Sequence, residues 1–119
     1  MTTTAPARWL VKHLDEAPTV PCPCGTSTRP ITAEDGLGLN LHVTSITDSR
    51  RHYHKICNEV YTILEGTGQI ELDGTWVPVR PGSVIAIPAM VRHRLRSEAG
   101  VKVILVGSPP YREDDEYFD

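Results

Sequence analysis

The chain has 119 residues, 39% of them hydrophobic, and a formal net charge of −3, a length and apolar content suited to one domain around one modest core. No stretch approaches the roughly 18 apolar residues of a membrane span, and the opening Met-Thr-Thr-Thr-Ala-Pro has neither the basic nor the apolar region of a leader, so no membrane association and a cytoplasmic protein are expected. Glu113, Asp114, Asp115, Glu116 and Asp119 hold five of the fifteen acidic groups; the rest of the chain sets twelve basic against ten acidic residues, with no basic stripe interleaved with aromatics, which argues against a nucleic-acid partner.

In chain order, residues 1–7 show no periodicity and are expected to be disordered. Residues 9–14 read as a short edge strand. Residues 15–30 carry four prolines and both early cysteines and read as a loop. Cys22 and Cys24 are too close to bridge without strain, so reduced thiols are expected. Leu37, Leu39, Leu41 and Val43 then alternate with Gly38, Asn40, His42 and Thr44 as in a half-buried strand. After the turn at Asp48-Ser49 comes a strand with two histidines, then the run 59–64, in which Glu59, Tyr61 and Ile63 share one face. Asp73-Gly74 is a hairpin signal between Ile70, Leu72 and the returning Trp76, Val77 and Val79. Further strands are expected over 83–87, 91–97 and 101–106, with a turn at Glu98-Ala99-Gly100. About eight short strands at spacings of roughly 8–12 residues predict an antiparallel sandwich or barrel.

His52 and His54, one residue apart on a strand, present both imidazoles on one face roughly 6.5–7 Å apart, within reach of one cation. Glu59 follows from a second segment, and His93 lies on a later strand with Arg92, Arg94 and Arg96 turned away from it. Three imidazoles and a carboxylate directed into a barrel interior would be costly to bury without a cation. His13 and His42, standing alone, are expected to be ordinary packed or solvent-facing residues.

The spacing resembles the cupin superfamily. Its first motif, Gly-x5-His-x-His-x3,4-Glu-x6-Gly, is met by His52, His54, Glu59 and Gly66, with Ile46 in place of the leading glycine. The second, Gly-x5-Pro-x-Gly-x2-His-x3-Asn, is met by Gly82, Pro88 and His93, with Met90 replacing the inner glycine and Ser97 the asparagine. The resemblance implies an all-β jelly-roll β-barrel (double-stranded β-helix) over residues 35–107, with an N-terminal strand-and-loop arm at 1–34 and an acidic tail at 108–119. It also implies one divalent transition metal per chain, held by His52, His54, Glu59 and His93. Four protein ligands in an octahedral shell leave two positions for substrate, which suits Fe, Mn, Ni or Co, and Zn if its coordination expands.

Cupins similar to this one include dioxygenases, isomerases, lyases and cyclases, as well as binding domains without catalysis. The expected function is that of a metal-dependent enzyme acting on a small polar metabolite, with a non-haem metal oxygenase as the leading reading. The alternatives are a redox-neutral lyase, isomerase or cyclase, and a non-catalytic small-molecule-binding protein. Tyr61, on the Glu59 face, and Glu59 itself are the candidates for assisting proton transfer. Small cupins also often carry a Cys-Gly-x-Ser-x-Arg stretch, here Cys24 to Arg29, which would fold over the barrel mouth. Cys24 and Arg29 are thus candidate substrate-binding residues, Arg29 as a clamp for a carboxylate. Cys57 is expected to be a buried small hydrophobe, the aromatic and acidic tail to pack on a neighbour, and the protein to be a homodimer.

Overall fold

The computed structural model describes residues 9–22 and 25–119. Ten strands follow in order: β1 (Thr19–Cys22), β2 (Gly25–Ile31), β3 (Asn40–Asp48), β4 (His52–Tyr53), β5 (Asn58–Glu65), β6 (Gly68–Leu72), β7 (Thr75–Val79), β8 (Val84–Ile87), β9 (His93–Ser108) and β10 (Tyr117–Phe118). All ladders are antiparallel. The described residues contain no α-helix, only three short 3₁₀ turns, and no helix long and apolar enough to cross a membrane.

β9 is the spine of the barrel. Its first residues pair with β6 and β4, and its second half lies between β3 and β5. Two strands were expected here, split by a turn at residues 98–100; instead one strand of 16 residues runs through. Gly100, at φ +93°, bends it, and register shifts in β3 between Ile46 and Asp48 and in β5 between Ile63 and Glu65 mark the same level. A strand passing from one layer of a barrel to the other needs such irregularities to turn the corner. Ser97 holds the bend: its hydroxyl donates to Thr67 O at 2.6 Å and accepts from Gly100 N at 3.1 Å.

Other expectations also change. Residues 9–13 form no strand, and Leu14–Glu16 is a 3₁₀ turn. The stretch read as a proline-rich loop contains the β1–β2 hairpin added to the edge of β3. Pro21 is tolerated because β1 is an edge strand needing fewer donors, and Pro30 because it lies at the β2 register shift between Thr28 and Ile31. Cys22 is disulfide-bonded, contrary to the expected reduced thiols, whereas Cys57 is free and buried. The Asp73-Gly74 hairpin is as expected, both residues having the positive φ of a type I′ turn.

Ile46, Tyr61, Ile63, Ile70, Val79, Ile87, Leu95, Val101 and Val103 fill the barrel. Trp76, on the returning strand of the hairpin, is 40% exposed with the Arg96 guanidinium over its ring, because β7 turns Val79 inward instead. The face of β3 is also the reverse of the one expected. Asn40, His42, Thr44 and Ile46 point inward and Leu39 and Leu41 alternate outward, while Val43 on that same outer side is nonetheless buried, outside the barrel core.

Candidate metal centre

Three strand ends deliver the site. β4 ends next to His54, Glu59 is the second residue of β5, and β9 opens with His93, which pairs directly with His52. The four side chains are buried, and one ligand atom from each lies within 4.8 Å of all the others. The four residues singled out in the sequence are therefore brought together.

Each imidazole is held by its Nδ1. His52 Nδ1 meets Arg50 O at 2.7 Å, His54 Nδ1 meets Asp115 O at 2.8 Å and His93 Nδ1 meets Val91 O at 2.9 Å. A carbonyl only accepts, so every Nδ1 carries the proton and every Nε2 presents a lone pair. Glu59 Oε1 then lies 3.0 Å from His54 Nε2 and 3.2 Å from His93 Nε2, and these three buried atoms have no hydrogen-bond partner. Lone pairs facing one another at that distance repel unless a positive charge lies among them. The donor set therefore fits a divalent transition metal, with the imidazoles oriented by their second nitrogens.

The electrostatics agree. Burial disfavours the Glu59 carboxylate, but with no ion between them a proton taken up on His54 or His93 Nε2 would bond to it, and this outweighs burial and holds the pKa down at about 2. Burial likewise opposes a charged His54, yet the facing Glu59 oxygen, ready to accept from a proton on Nε2, and its negative charge raise that pKa above 6.5. A cluster that draws a proton this way binds a metal in competition with protons. Burial and the neighbouring His93 push His52 down to about 4.

Above the cluster is a cavity whose walls include Arg29, His42, Thr44, Tyr61, Tyr111 and Glu116. Tyr61 lies on the Glu59 face, as expected. Burial and then the Glu59 charge drive its phenol pKa well above 10. Arg29 also reaches the cavity: its Nε donates to Ser27 Oγ at 3.3 Å and its guanidinium lies 5.6 Å from the centre of the Tyr111 ring. Cys24 lies outside the described residues. Cys57 is a packed thiol, pushed up to about 12 by burial and by Glu59. Arg92, Arg94 and Arg96 face away from the site; Arg94 bonds Asp48 at 3.2 Å and Arg92 bonds Asp119 at 3.0 Å.

Two groups of residues escaped the sequence reading. His42, taken for an ordinary histidine, is 7% exposed on the cavity wall, kept neutral by burial and by Arg29, which lower its pKa to about 4. Its signal was the polar parity of Asn40, His42 and Thr44. The tail packs on its own chain: β10 pairs with β4, Tyr117 stacks on Tyr53 at 5.4 Å, and Glu116 faces the cavity with Oε2 accepting from Tyr111 OH at 2.9 Å. The aromatic residues among the acids were the signal there.

Residues 42–107 match the family described as the cupin domain. The chain belongs to the cupin family. This cupin is 35% identical over 97 residues to the L-ectoine synthase of Desulfatibacillum aliphaticivorans, spanning 76% of this chain and 74% of that protein. A solved protein from Planctomyces limnophilus superposes with a TM-score of 0.87 at 34% identity, covering 97% of this chain and 100% of the other. Ectoine synthase from P. lautus superposes at 0.78 with 27% identity, over 92% and 88%.

Proposed function

We propose that this cupin is a metal-dependent enzyme that carries out a redox-neutral lyase, isomerase or cyclase reaction on a small polar metabolite. The observation that carries the metal reading is the convergence of three unpartnered buried acceptors, His54 Nε2, His93 Nε2 and Glu59 Oε1. Similarity to L-ectoine synthases supports the redox-neutral alternative over the oxygenase that led the sequence reading. His52, His54, Glu59 and His93 would hold the ion, and a bound divalent cation supplies Lewis acidity for polarising a substrate oxygen.

The remaining work falls to side chains on the walls. Arg29, braced by Ser27 and Tyr111, offers its remaining N–H groups to a substrate carboxylate. With its pKa driven well above 10, Tyr61 keeps its proton at neutral pH and acts as a hydrogen-bond donor that fixes a substrate oxygen. Glu59, held near a pKa of about 2, remains an anionic ligand and is unsuited to giving up a proton. Glu116, with Oε1 3.9 Å from His52 Nε2 and Oε2 on the Tyr111 hydroxyl, is the carboxylate placed to accept a substrate proton.

The test is turnover of the Fe(II), Zn(II) and Mn(II) forms with and without oxygen, on small polar metabolites including the substrate of L-ectoine synthases, with products followed by mass spectrometry. Oxygen-independent turnover is the expected result. Product formed only with Fe(II) and oxygen would restore the oxygenase, and every compound recovered unchanged but tightly bound would leave a binding protein.

The protein is also proposed to be a homodimer. The outer face of the β8-β5-β9-β3 sheet carries two adjacent uncharged rungs, Ala86-Val60-Val106-Leu41 and Val84-Thr62-Ile104, the second ending on Val43, which is already buried within the chain. Val60 is 40% and Val84 65% exposed. A twofold pairing would set these apolar rungs against their own copies. Light scattering should give twice the chain mass for wild type and a monomer for Val60→Lys with Val84→Lys; a wild-type monomer rejects the dimer.

A further inference from the structure

Asp115 is 4% exposed in a run of acids whose neighbours Glu113 and Asp114 face solvent. Its carboxylate is fully engaged by backbone. Oδ1 accepts from Lys55 N at 2.9 Å and Ile56 N at 3.2 Å, and Oδ2 from Ile56 N at 3.2 Å and Cys57 N at 3.0 Å. Those three amides make up the turn between His54 and Glu59. The Asp115 carbonyl, in addition, takes the His54 Nδ1 proton at 2.8 Å.

The three histidines differ in this respect. His52 and His93 are oriented by carbonyls two residues earlier, those of Arg50 and Val91, which any fold of the local strand supplies. The carbonyl that orients His54 comes from 61 positions away in sequence and is in place only while the C-terminal segment is docked. Docking has its own contacts: β10 on β4, the stack of Arg92, Tyr53, Tyr117 and Lys55, and Tyr111 N on Asn40 Oδ1 at 2.6 Å.

We infer that Asp115 is a positioning residue for the metal centre, setting His54 through its carbonyl and the His54-to-Glu59 turn through its carboxylate, so that metal uptake and docking of the C-terminal segment are linked. The inference rests on the proposed metal site. Linkage is reciprocal: what the docked segment adds to metal affinity, the metal returns to docking.

The test is Co(II) titration of the full-length apoprotein, read from the visible absorption band, together with amide hydrogen exchange with and without Co(II). Asp115→Asn, which keeps the shape and loses the charge, should weaken Co(II) binding about 10- to 100-fold, the range for residues that orient metal ligands, and alter the band. Asp114→Asn, in an exposed pair with Arg112, should match wild type, and Asp115→Glu should recover part of the loss. In wild type, Co(II) should slow exchange at residues 55–57 and 115–118, a readout that survives even if Asp115→Asn does not fold. Wild-type affinity and spectrum in Asp115→Asn, or exchange in the tail indifferent to Co(II), overturns the linkage alone. No Co(II) uptake by wild type overturns the metal reading and the linkage with it.

Discussion

His42 provides a quantitative test of the cavity wall, because its charge state follows from where β3 places it. With a pKa of about 4 in the fold against 6.5 unfolded, the imidazole is neutral in the native state across the interval where the unfolded chain takes up a proton. Stability therefore falls as pH drops from about 7 towards 4, the sign required when the unfolded state binds more protons. At pH 5 the two proton-binding factors differ about 30-fold, or about 2 kcal/mol, and at pH 7 the same term is only about 0.2 kcal/mol. The experiment is urea unfolding of wild type and His42→Gln at pH 7 and pH 5, followed by circular dichroism with a chelator present. Histidines common to both chains cancel in the comparison, and wild type should lose about 2 kcal/mol more than the variant. Equal losses would show that the imidazole is not buried neutral beside Arg29, and the reading of Arg29 as the cation of that wall would fall with it.

Metal content should be about one divalent ion per chain in wild type and near zero in Glu59→Gln, which retains the shape but removes the anionic oxygen shared by His54 and His93; elemental analysis reads it, and equal content would remove the four-ligand site. Met90 takes the place of a motif glycine and is held at φ +78°, a left-handed conformation costing a side chain about 1–2 kcal/mol. Met90→Gly should therefore raise stability by about 0.5–1 kcal/mol once the freer unfolded glycine is allowed for, and a lower melting temperature would refute that. Gly66, at φ +85°, lies so close to the Gly100 carbonyl that an added Cβ would collide with it. Gly66→Ala should cost at least about 2 kcal/mol by urea unfolding, and a neutral result would mean that the two bends do not pack as described.

Legibility in the sequence followed the range of the interaction. Glu59, Tyr61 and Ile63 were assigned to one face correctly because alternation is local, and the hairpin at Asp73-Gly74 because two residues settle its backbone. β9 was cut in two because Glu98-Ala99-Gly100 has the composition of a turn, and only pairing with both β3 and β5 keeps it extended. The docking of the tail on its own chain was missed because the Asp115 carboxylate acts on amides about 60 residues away, which no period reveals. β3 shows the deeper reason. Its leucines alternate like a buried face, yet the sheet registers Asn40 with Gly107 and Glu59, His42 with Leu105 and Tyr61, and Thr44 with Val103 and Ile63. Polarity thus declines along the barrel from the ligands to Ile63 and Ile70, and a strand can turn its polar side inward when its neighbours bring a site to the same level. That apolar residues belong inside says little about which face of a strand is inside. The face is decided across the sheet, and here the partner that decides it is the row carrying Glu59.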